Sequence, residues 1–192
     1  MKNLRLLLFA VFAIVSVAAP VSIIWKYEAA LRHGVTYKFR TKPVDPYDAF
    51  RGRYVTLDFA ADSLDTANDG YWRKGPYYVR LANDAEGFAK PVAASLTPLT
   101  GSDVIMVDSA WNHNQSLRFT YPFNRYYLPE DLASLAEQLY QRANRDAADR
   151  ESTPETYVTV SVYRGVGVLK ELYLHGRPVR EAISAELEQD RR

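Results

Sequence analysis

No cysteine occurs anywhere in the chain. That excludes a disulfide framework, a thiolate metal site and a cysteine nucleophile. It is compatible with an oxidising compartment without requiring one. Histidine is scarce: His33, His113 and His175 are scattered, each at an expected turn or element end. No His-Glu-x-x-His or comparable spacing exists, so no metal site is expected. A surplus of one charge is missing too. The formal net charge is +1, and setting aside Lys2 and Arg5 takes the remainder to −1. That leaves no electrostatic footprint for nucleic acid. There is no phosphate-binding glycine loop and no Gly-x-Ser-x-Gly elbow, and no cofactor is expected. Internal repeats and low-complexity tracts are also lacking.

What is present begins with a long uncharged run. Leu6 to Ile24 read LLLFAVFAIVSVAAPVSII. A hydrocarbon core about 30 Å thick needs roughly 20 apolar residues in a helix. Lys2 and Arg5 precede the run, and Trp25, Lys26 and Tyr27 follow it, residue types that favour the interface or snorkel to it. Pro20 is expected to interrupt the helix near its outer end, as membrane helices tolerate. The competing reading is a cleaved signal peptide. Its apolar region is usually shorter, Val17 spoils an Ala-x-Ala ending at Ala18, and Pro20 follows Ala19 directly. The reading therefore favours a retained signal-anchor over residues 1–25, with the lipid bilayer as its partner. Lys26, Arg32, Lys38 and Arg40 count against an outside C-terminus, but long domains are translocated largely regardless of charge. The N-terminus is placed inside and the domain outside.

Residues 26–34 read as a juxtamembrane helix or linker ending at Gly34. The remaining chain is 47% hydrophobic and 24% charged with the anchor included, a composition that folds. Alternation predicts strands at Val35–Arg40, Arg53–Ala60, Tyr77–Leu81, Phe88–Leu96, Val104–Val107, Leu117–Tyr121 and Tyr126–Leu128. Asp62 to Gly75 is polar and reads as loop. Pro129, Glu130 and Asp131 suit a helix start. Leu132, Leu135, Ala136, Leu139, Ala143 and Ala147 then mark an apolar stripe, opposite a solvated face carrying Glu137, Gln138, Gln141, Arg145 and Asp149. Thr156–Tyr163 and Val166–Leu174 form a hairpin across Arg164 and Gly165. Residues 180–192 read as a fraying polar tail. The fold class is α+β: a mainly antiparallel β domain over residues 35–179 with one substantial helix, preceded by a transmembrane helix.

The stretch PVDPYDAFRGRYVTLDF, Pro43 to Phe59, resembles the GDYXXLXY family of bacterial membrane-anchored proteins. The matching residues are Pro43, Val44, Asp45, Pro46, Asp48, Arg51, Gly52, Tyr54 and Leu57. Arg53 stands where the motif has Asp, and Phe59 where it ends in Tyr. FNRYYLPE (Phe123 to Glu130) and the closing hairpin through Leu174, Gly176 and Pro178 are similar to the family as well. The resemblance implies a bacterial envelope protein. It implies no reaction, because the family carries no established biochemical role.

Two groups of residues are candidates for function. The cluster Asp45, Asp48, Arg51 and Arg53, with Tyr54 and Asp58 on the adjoining strand, offers a polar site for a ligand or partner peptide. Against this, Asp45–Pro46 favours a turn, Asp48 can accept backbone N–H bonds, and Gly52 takes shapes other residues resist. Arg53 is expected to pair with Asp58 or Asp48. The second group is aromatic: Trp72 near Lys74–Gly75, and Trp111 in a loop with His113 and Asn114. Such side chains serve binding hot spots, or fill a small β core. The leading expectation is a non-enzymatic envelope module that binds a partner, another membrane protein. The alternative is a membrane-anchored hydrolase using Asp45 and Asp48.

Overall fold

The computed structural model describes residues 2–42, 54–65, 75–113, 116–148 and 156–189. Its first element, α1 (Lys2–His33), is one continuous helix that carries Pro20 inside it. The apolar run and the segment expected as a separate linker are therefore a single rod. Proline removes one helical N–H, and the flanking residues keep the axis intact. Thirteen large apolar side chains between Leu4 and Ile24 are exposed. The rod ends where Gly34 N donates to Ala30 O at 3.0 Å.

β1 (Val35–Lys42) leaves this point and becomes a central strand. It pairs antiparallel with β11 (Thr156–Tyr163), with Val35 opposite Val162, and with β3 (Asp58–Phe59) at its far end. β12 (Val166–Leu174) and β13 (Arg177–Pro178) complete a five-stranded sheet in the order β13-β12-β11-β1-β3. Tyr37 and Phe39 point inward from β1, as the alternation predicts, and are 6% and 0% exposed.

The stretch expected as one strand from Arg53 divides at Leu57. Its first part, β2 (Tyr54–Thr56), pairs with β10 (Arg125–Tyr127), while β3 joins β1. Leu57 N still donates to Asn124 O at 2.9 Å, the next position in the β2–β10 register, and the chain crosses to β1 only from Asp58. The inward set predicted from period two is nonetheless correct: Val55, Leu57 and Phe59 are all buried.

A three-stranded sheet joins β4 (Ser63–Asp65), β9 (Ser116–Thr120) and β8 (Ser109–His113). β4 lies in a segment expected to be loop, and β8 takes Trp111 and His113 out of the loop expected there. Another sheet joins β6 (Ala89–Ser95), β5 (Tyr77–Asn83) and β7 (Val104–Val107). The sheets meet on an aromatic core. Phe39, Phe59, Tyr121 and Phe123 pack with centroids 5.0 to 5.7 Å apart, mostly edge-to-face, a geometry that adds to area burial. Tyr121 satisfies its buried hydroxyl by donating to Ala61 O at 2.7 Å.

α2 (Glu130–Ala148) is the expected helix, rotated from its expected facing. Ala133, Ala136, Tyr140, Ala143 and Asn144 are its buried residues, and Leu132, Leu135 and Leu139 flank the contact half-buried. The alanines allow close approach, and the polar tips of Tyr140 and Asn144 find partners inside. The C-terminal segment expected to fray forms α3 (Val179–Gln189), anchored by buried Val179 and Ile183 and by Arg142–Glu186 at 3.1 Å.

Candidate functional site

Asp45, Asp48, Arg51, Arg53 and Trp72 lie outside the described residues. The expected pairing of Arg53 lies there too. Tyr54 opens β2 half-buried, with the Tyr127 ring 5.6 Å away and the Arg125 guanidinium 4.9 Å from its centroid. Asp58 is exposed on β3, opposite Lys42, and its Oδ1 accepts from Phe59 N at 2.9 Å. Trp111 sits on β8 opposite Arg118. The described candidates, Tyr54, Asp58 and Trp111, lie on three different strands. Tyr54 and Asp58 share the neighbourhood where the 43–53 segment rejoins the fold, and Trp111 belongs to another sheet.

At the root of that segment is a polar cluster the sequence reading missed. Thr41, the penultimate residue of β1, donates to Thr156 Oγ1 at 2.8 Å. Thr156 Oγ1 in turn donates to Asn144 Oδ1 at 2.5 Å. Tyr140, one turn before Asn144, donates to Lys42 O at 3.1 Å. All four side chains are nearly inaccessible. Asn144 Nδ2 is buried and has no acceptor, the kind of group that costs stability unless something pairs it. One signal for this cluster was available: a tyrosine on an apolar helical stripe requires a partner for its hydroxyl. The threonines gave none, since each completes an ordinary strand pattern.

The hydroxyls of the cluster donate to one another, to Asn144 Oδ1 and to the backbone. Burial pushes the Tyr140 hydroxyl up to about 12, against the lowering effect of the neighbouring Thr41 and Asn144 side chains. At neutral pH it is therefore a protonated donor. Glu137, one turn earlier, is half-buried instead of lying on a fully solvated face. Burial raises its carboxyl above the usual range despite the Gln141 amide at 3.3 Å.

A second polar centre fastens β1 to the β5–β6 turn. Burial pushes the Asp84 carboxyl up, but donation from Phe88 N at 2.7 Å, from Arg40 at 2.5 Å and from Glu86 N at 3.1 Å outweighs it and holds the group below the carboxylate range. Arg40 also lies 3.9 Å over the Phe88 ring. This centre is saturated by its own partners and is structural. Among the described residues, no group of three or more His, Asp or Glu has the arrangement to hold a metal ion.

An α+β domain of antiparallel sheets carried on one apolar helix long enough to cross a membrane defines the class. Within that class the chain is a member of the GDYXXLXY protein family, whose model matches residues 16–172. Neither a curated protein nor a solved structure matches the chain.

Proposed function

We propose that this is a single-pass membrane protein whose β-rich domain faces the extracytoplasmic side and binds another membrane protein there. One observation carries the anchoring: the apolar surface of α1 is covered by nothing, with none of its most hydropathic window buried. Leaving thirteen such side chains in water would cost on the order of 20 kcal/mol or more. A bilayer removes that cost. The retained anchor is favoured over a cleaved leader because the uncharged run is longer than a leader's usual apolar region and Pro20 directly follows Ala19.

Support for binding comes from the 43–53 segment. It departs from the end of β1 opposite α1, about 24 Å away at ~3.4 Å per residue. Its root is the buried cluster of Thr41, Tyr140, Asn144 and Thr156, which fixes where the segment leaves β1. Confinement to a membrane raises the effective concentration of such a module for a membrane-bound partner. Alkaline carbonate extraction and N-terminal sequencing of the mature chain test the anchor: retention with an intact start is expected, and release with a start near residue 20 refutes it. Co-purification from detergent-solubilised membranes tests the binding. Defined membrane proteins should be recovered with the native chain and lost with Trp72→Ala and Tyr54→Ala, and recovery of none refutes it.

A further inference from the structure

The β11–β12 turn lies at the α1 end of the five-stranded sheet, because Val162 is opposite Val35, the first residue after the helix junction. Arg164 and Gly165 form the turn with φ of 46° and 88°. The Tyr163 ring stands 6.2 Å from His33, the last residue of α1. Counting along the helix, Ala30 is six residues beyond Ile24, or about 9 Å at 1.5 Å per residue, and His33 about 13 Å. Headgroups extend roughly 5–8 Å past the hydrocarbon edge on each side. The turn is thus within about a Debye length, ~8 Å, of the headgroup layer.

Beside it is a cleft of about 560 Å³ lined by Tyr78, Pro98, Leu99, Tyr163 and Arg164 among others. Arg164 is the one charged residue in its lining. Its guanidinium rests 5.2 Å from the Tyr163 centroid, and it has no carboxylate partner among the described residues. Leu96 and Met106 extend exposed apolar surface next to this region, at 46% and 38%. Lys26 adds a cation on the exposed outer end of α1. An unpaired arginine at the mouth of an aromatic and apolar cleft, held next to a bilayer surface, matches the chemistry of an anionic lipid: phosphate for the guanidinium, glycerol and upper acyl carbons for the rest.

We propose that this cleft seats the headgroup of an anionic phospholipid from the leaflet that α1 enters, clamping the domain down on the membrane. The proposal rests on the retained anchor argued above. The test uses the full chain, whose lack of cysteine permits clean single labelling. Leu96→Cys carries a nitroxide, and the protein is reconstituted into phosphatidylcholine vesicles with and without phosphatidylglycerol. Phosphatidylglycerol is expected to lower the collision rate with a water-soluble nickel reagent at least twofold, and about 1 M salt to restore it. Arg164→Gln should abolish the protection and Arg164→Lys retain most of it, with far-UV circular dichroism unchanged in both. Equal collision rates in the two lipid mixtures, in protein that resists carbonate, overturn the proposal and leave the anchor standing. Release by carbonate overturns the anchor itself, and the clamp with it.

Discussion

Gly34 joins α1 to the sheet with no spare room. A Cβ there would meet Ala30 O at 2.3 Å, Ser161 Oγ at 2.4 Å and Val162 O at 3.0 Å. Two of the three are backbone atoms held by the helix end and by the β1–β11 ladder, so neither can swing aside. Gly34→Ala must therefore part the helix from the strand. Overpacking of this kind costs about 1–3 kcal/mol. The parting also breaks the Ser161 Oγ bond to Ala30 O, worth about 1 kcal/mol. The total is about 2–4 kcal/mol, which for a chain of this size lowers Tm by about 5–15 °C. Thermal unfolding in detergent, followed by near-UV circular dichroism, measures it. Ser161→Ala removes the 2.4 Å contact together with the bond, so the double variant should lose less than the two single losses added. A Gly34→Ala protein within about 0.5 kcal/mol of the native one, or strictly additive variants, would refute the reasoning.

Gly167→Ala puts a methyl 2.6 Å from Ile105 Cδ1 and 2.8 Å from the Phe123 ring; a destabilisation of about 1–3 kcal/mol is expected in urea titration, with m unchanged. Asp84 has a folded pKa below its unfolded value of about 3.9, so its contribution is present above that value and is lost as pH falls through the folded one. Asp84→Asn should accordingly cost about 1–3 kcal/mol at pH 7, and the cost should shrink as pH falls below the unfolded value. Tyr140 has its folded pKa raised to about 12, so its contribution is complete below about pH 10 and is lost as pH rises toward 12. Tyr140→Phe should cost about 1 kcal/mol at pH 7, and the difference from the native protein should narrow across that alkaline window.

Where alternation ran cleanly the sequence could be read: Val55, Leu57 and Phe59 are all inside, and the Thr156–Leu174 hairpin turns where Arg164 and Gly165 predict. Period two reports facing, however, and not partners. It therefore does not show that the Val55 and Phe59 segments pair with different strands, β10 and β1, whose positions are set elsewhere in the chain. β8 was read as loop because Trp111, Asn112 and His113 carry no alternation, yet β9 completes their ladder. α3 looked like a tail because only Val179 and Ile183 of its residues are buried, too few to show a period. The site was the least legible part. Thr41, Tyr140, Asn144 and Thr156 come from a strand, a helix and a second strand, and their hydrogen bonds exist only once those elements pack.

The placement of β1 has a mechanical consequence. Its first residue follows the α1 junction at Gly34, and its last leads into the 43–53 segment. Force applied between α1 and that segment would run along the covalent backbone of a strand that is already extended. The hydrogen bonds to β11 would be left unloaded. A fold wired in this way can hold tension between two attachments without unravelling.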